Sequence, residues 1–72
     1  MIQNIYAIRD IKQAYMSIWT SRNDSTATRI FDNTDIPYRA DMELWHLGEY
    51  DDEKGTIKDN KYIIKDGIKE EK

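Results

Sequence analysis

The side chains that could do chemistry fall into three groups, and the first centres on His46, the sole histidine. A general base or a metal ligand needs partners within hydrogen-bond reach. The carboxylates nearest in sequence, Glu43 and Glu49, are each three residues away, which on a regular strand puts them on the face opposite His46. The expectation is a histidine on a half-exposed strand with no catalytic role. The second group is the acidic run Glu49-Tyr50-Asp51-Asp52-Glu53. It lacks the alternating ligands and the closing glutamate of a calcium loop, so it reads as turn chemistry and a solubilising surface. The chain has no cysteine and only three glycines, which leaves no thiolate metal site and no glycine-rich phosphate loop. No serine sits in a nucleophile elbow. The residues point to a non-enzymatic protein with no cofactor and no metal.

The third group is cationic and aromatic. Arg9, Lys12, Arg22 and Arg29 accompany Tyr15 and Trp19, with Tyr6 and Trp45 also falling on expected strands. Bases of single-stranded nucleic acid stack on aromatic rings beside a cationic groove, each stack contributing roughly 1–3 kcal/mol. Arg9, Lys12, Arg22, Arg29, Trp19 and Tyr15 are therefore the candidate nucleic-acid-binding set. Against that stands the formal net charge of −3, since phosphate neutralisation drives most such binding. In a core this small, tyrosine and tryptophan also serve as the main apolar mass or fill a dimer interface.

The elements that must position these residues can be read from patterning. Ile2 to Ile8 (IQNIYAI) suits a strand, Arg9 to Lys12 a turn capped by Asp10, and Gln13 to Trp19 (QAYMSIW) a second strand. Strict alternation would place Tyr15, Ser17 and Trp19 on one face and Ala14, Met16 and Ile18 on the other. Asn23 or Asp24 is a suitable helix N-cap, Ala27, Ile30 and Phe31 form one helical stripe, and Asn33 is a stop. Asn33 to Asp41 is a loop in which Pro37 turns Ile36 away from helical geometry. Met42 to Tyr50 is a strand, Asp51 to Gly55 a turn whose glycine can take positive φ, and Thr56 to Lys58 a strand that Lys61 to Lys65 continues after a kink at Asp59-Asn60. The fold class is α+β: β-hairpin, short helix, β-hairpin, forming one small antiparallel sheet with the helix on one face.

Charge divides the chain in two. Residues 51–72 hold seven acids, six lysines and one aromatic; residues 1–50 hold all four arginines and the other seven aromatics. The division assigns 1–58 to a ββαββ core domain and 59–72 to a charged C-terminal arm or tail with partial disorder. At 72 residues without disulfides the core is thin, which favours self-association, with a dimer the simplest case. MIQNIYAIRD has no basic and apolar leader pattern, and no apolar run reaches the roughly 20 residues that span a bilayer, so a soluble, intracellular protein without membrane contact is expected.

The ordered series IYAIRDIKQAYMSIW, RNDSTATRIF and DMELWHLGEYDDEKGTI resembles the small nonstructural protein of the gokushovirus branch of the microviruses. The likeness rests on Tyr6, Asp10 and Lys12 in the first hairpin, Asn23, Asp24, Ala27, Arg29 and Phe31 at the helix, and Asp41, Leu44, Gly48, Asp51 and Gly55 in the second hairpin. It spans residues 2–57. Two departures stand out: Gln13 where that family places a glycine, and Tyr38-Arg39-Ala40-Asp41 where it carries a histidine-proline-glutamate-aspartate stretch. The resemblance implies a small early bacteriophage protein, absent from the capsid and resident in the host cytoplasm. Its implied role lies in viral DNA replication, at the switch to single-stranded genome synthesis and packaging. The partners that follow are a second copy of the chain, the phage replication initiator or procapsid, or single-stranded DNA itself.

Overall fold

The computed structural model describes residues 1–34 and 39–66. Strand β1 (Ile2–Asp10) and strand β2 (Tyr15–Ser21) form the first hairpin, helix α1 (Asp24–Asn33) follows, and a short 3-10 turn (Arg39–Asp41) leads into the second hairpin, β3 (Met42–Asp51) and β4 (Thr56–Asp66). The sheet is antiparallel throughout, in the order β2-β1-β3-β4. This is the α+β arrangement that the patterning predicts: two hairpins joined through their first strands, with α1 packed on one face.

Local chemistry accounts for each junction. Asp10 closes the first turn, its Oδ1 accepting from the Lys12 N–H at 2.9 Å. The Asn23 side chain caps α1 by accepting from the Thr26 N–H at 2.9 Å, satisfying one of the free donors of the first turn. The helix stops after Asn33, and Arg39 then reaches back to donate to the carbonyls of Phe31 and Thr34, at 2.8 and 2.6 Å. It answers there the carbonyls that a helix end leaves open. In the β3–β4 turn, Asp51 Oδ1 accepts from the Glu53 and Lys54 N–H groups, and Gly55 takes φ +68°, a left-handed conformation that glycine adopts without steric cost.

The core lies between α1 and the sheet: Ala27 and Phe31 from the helix meet Tyr6, Ile8, Met42 and Leu44, with Trp19 and Ile64 packed against them. Ile30, expected on the same helical stripe, is 42% exposed. The inward stripe runs from half-buried Asp24 and Thr28 to buried Ala27 and Phe31 instead, and at 100° per residue Ile30 falls off its edge. The boundary expected between residues 58 and 59 falls inside β4, which stays paired with β3 as far as Asp66. The expectations for Ile36, Pro37 and Tyr38 and for the last six residues lie outside the described residues.

Register irregularities interrupt the alternation in each pair of strands. Between β1 and β2, Ile8 faces Ser17 while Arg9 faces Tyr15, so one extra residue sits in β2. Such a bulge reverses which side of the sheet the following residues occupy. Tyr15 and Trp19, expected on one face, are therefore on opposite faces. A second irregularity in β3 brings Gly48 opposite Ile5 and His46 opposite Tyr6. There the backbone of β4 passes so close that a Cβ on Gly48 would collide with the Lys58 carbonyl oxygen, so only glycine fits.

Candidate functional site

On the face turned away from α1 the sheet carries a cluster of rings and charges with no element packed over it among the described residues. Tyr15 of β2 and Trp45 of β3 meet edge to face, their ring centres 6.4 Å apart. Lys61 of β4 places its ammonium 5.8 Å from the Tyr15 ring centre and 5.6 Å from that of Trp45, and the Arg9 guanidinium of β1 lies 5.8 Å from Tyr15. Cations at this distance are held by the ring quadrupole. Glu43 ties the cluster together, Oε1 accepting from Trp45 Nε1 at 2.9 Å and from Arg9 at 3.4 Å. Ala7 is fully buried beneath, between its strand partners Ile18 and Trp45. Ile18 and Ile63, on the same face, are 66% and 46% exposed. The result is a partly exposed surface of rings and aliphatic side chains with two cations by the rings, chemistry that can stack a planar ligand or seat an apolar partner.

The covered face carries a second polar group of residues, and it is internally satisfied. The Asp24 carboxylate, in the first turn of α1, accepts from the Tyr6 and Tyr62 hydroxyls at 2.7 and 2.8 Å. Burial, and then the bond to Asp24, push the Tyr62 phenol up to about 12 and raise that of Tyr6 further. His46 is enclosed between these tyrosines, stacked on Tyr62 at 4.5 Å and edge-on to Tyr6 at 5.3 Å. Its Nδ1 faces the Asn60 carbonyl at 2.7 Å and its Nε2 faces Asn4 Oδ1 at 3.0 Å. Asn4 in turn donates from Nδ2 to the Arg22 carbonyl.

Two expectations about His46 are corrected here. It is 1% exposed rather than half-exposed, because the rings of Tyr6 and Tyr62 enclose it. Glu49 is on its own side of the sheet, Oε2 3.8 Å from Nε2, because the irregularity before Gly48 reverses the alternation. The acidic run has structural partners as well: Asp52 accepts from the N-terminal ammonium at 2.8 Å.

Of the predicted nucleic-acid set, only Arg9 and Tyr15 are brought together, on the open face. Lys12 sits at the tip of the first hairpin, 3.5 Å from Asp41. Arg22 is exposed just past the end of β2, and Arg29 lies on the solvent side of α1. Trp19 packs against the core on the covered face, its ring centre 6.2 Å from that of Tyr6. Sequence reasoning missed Lys61 and Glu43 as members of the open cluster. The signal for Lys61 was available only in register: β4 had to run through Asp59-Asn60 for it to come beside Trp45.

Fold and surface together define a small sheet protein with a helix on one face and, among the described residues, no element over the other. The chain belongs to the family described as Phage ORF5 protein, which matches residues 3–69, and it is thus a bacteriophage protein. The match extends past Ile57, where the resemblance read from the residues ends, and takes in all of β4. No curated protein and no solved structure matches the chain.

Proposed function

We propose that this chain is a non-enzymatic phage accessory protein that acts through contacts of its open sheet face and through self-association. It works in the host cytoplasm at the switch to single-stranded genome synthesis and packaging, the role that the gokushovirus resemblance implies, with the replication initiator or the procapsid as partner. The observation that carries the binding reading is the open cluster itself: Tyr15, Trp45, Ile18 and Ile63 on one uncovered face. The non-enzymatic reading is supported by the closed network on the other face. Its phenols are shifted upward, away from the range in which they could exchange protons near neutral pH, and its histidine is walled in.

The test is made in infected cells. A phage carrying Ile63→Ser in this gene should make normal double-stranded replicative DNA but less single-stranded DNA, while the purified variant keeps the circular dichroism of the parent. Unchanged single-stranded accumulation would sink the proposal.

A second reading, direct binding of single-stranded DNA, is favoured by one observation: Lys61 and Arg9 lie over the same rings on which bases would stack. It calls for quenching of Trp45 fluorescence by an oligonucleotide, reversed by salt.

A further inference from the structure

The two edges of the sheet differ. β4 forms one edge, and five of its eleven residues are charged: Lys58, Asp59, Lys61, Lys65 and Asp66. It also carries two register irregularities against β3. Charges and bulges are the devices by which sheet proteins keep an edge from pairing with other chains. β2 forms the other edge with the sequence YMSIWTS, which holds no charged residue, no proline and no glycine. After the irregularity near Tyr15 it pairs regularly with β1 from Ser17 to Ser21. Among the described residues no strand pairs with its outer side. Beside that edge, on the open face, Ile18 is 66% exposed.

We propose that β2 is a self-pairing edge, joining β2 of a second copy antiparallel about a two-fold axis at Ile18 and making one eight-stranded sheet. The proposal rests on the self-association reading above and names its geometry. In this register Ile18 faces Ile18 of the second copy on the open side, and Ser17 faces its Trp19 on the helix side. No charge is juxtaposed anywhere along the pair. The alternative edge pairing, β2 on β4, would set an uncharged strand against lysines and would propagate as an open filament, whereas the two-fold pair closes on itself. The pairing satisfies backbone groups left open at the edge and buries both Ile18 side chains. It also aligns two Tyr15–Trp45 clusters on one continuous surface, so that an extended partner meets two sites at once.

The experiment uses the full chain, its mass measured by light scattering across concentration. The parent is expected to be a dimer. Ile18→Lys, at an exposed position, should keep the parent's thermal unfolding below the dimer range yet weaken dimerisation by roughly tenfold or more, from like charges face to face and lost apolar burial. Ile18→Cys introduces the chain's sole thiol at paired Cα atoms about 5 Å apart and should cross-link rapidly on oxidation. Ile57→Cys, 70% exposed on β4, should not. A monomeric parent at every concentration would overturn self-association and the edge pairing together. A dimeric parent whose Ile18→Lys variant stays dimeric, and whose Ile18→Cys variant cross-links no faster than Ile57→Cys, would overturn the edge pairing and leave self-association standing.

Discussion

The two faces of this sheet are built from the same kinds of residue and put them to opposite uses. On the covered face, Tyr6, Tyr62, Trp19 and His46 share the side of the sheet that carries α1, and most of their polar atoms end on a fixed partner in Asp24, Asn4 or a backbone carbonyl. On the open face, among the described residues, no helix covers Tyr15 and Trp45, and the cationic side chains of Lys61 and Arg9 lie by their rings. Residue type therefore does not decide between core and binding surface in so small a domain. What decides is the placement of one short helix and a few bulges. The covered face uses its aromatics to hold the fold; those of the open face stay partly exposed among the described residues.

Deleting one ring from the covered face should break the protein. Phe31 is fully buried at the centre of the contact between α1 and the sheet. Phe31→Ala removes that packing and leaves a cavity, costing about 3–5 kcal/mol, which approaches the whole stability of a domain this size. Ile63→Ser on the open face, 46% exposed, should change stability by no more than about 0.5 kcal/mol. Urea denaturation of the two variants measures the contrast directly. Comparable losses in both would mean that the open face is part of the core.

Cutting the polar network beneath α1 should have the next largest effect. Asp24 accepts from two tyrosine hydroxyls and sits where the helix dipole favours a negative charge. Asp24→Ala should cost about 1–3 kcal/mol, since both phenols lose their acceptor. The same network predicts an alkaline limit. The Tyr62 phenol, ordinarily near 10.0, is held at about 12 in the folded chain. Between these values the folded form keeps a proton that the unfolded form has lost, so stability is full below pH 10 and declines as pH rises toward 12. Tyr62→Phe should remove its share of that decline in denaturation curves taken across the window and leave the share of Tyr6, whose phenol is raised further.

How far the sequence reveals this contrast can be judged residue by residue. The helix is legible, because Asn23 is a strong cap and Ala27 and Phe31 fall one turn apart. The Asp10 and Asp51–Gly55 turns are legible too, since short side chains and a glycine answer local backbone needs. The assignment of residues to faces is not. A bulge has no fixed sequence signature; it arises where the packing of two strands disagrees by one residue, and each bulge reverses everything after it. That is why Trp19 looked like a neighbour of Tyr15, and why Glu49 looked unable to reach His46. The continuity of β4 through Asp59-Asn60, where a kink is expected, was hidden for another reason. Its side chains are polar enough for a solvated arm, but its pairing with β3 uses backbone groups that are indifferent to them.

The two tryptophans supply the finest test of the contrast, and the expected order runs against their burial in the core. Trp45 on the open face donates from Nε1 to the Glu43 carboxylate at 2.9 Å. Trp19 on the covered face has a buried Nε1 with no acceptor within hydrogen-bond distance among the described residues. A buried donor without a partner carries its full desolvation cost, and replacing it with an apolar group of similar shape can be neutral or stabilising. Trp19→Phe relieves that cost while surrendering some packing against Tyr6, and the two effects should nearly cancel, leaving a change within about 0.5 kcal/mol. Trp45→Phe loses a hydrogen bond to a charged acceptor and part of the hold on Lys61, and in this partly exposed setting should cost about 1 kcal/mol. Thermal unfolding of the two variants gives the order. A larger loss from Trp19→Phe would show that packing on the covered face outweighs its unmet donor.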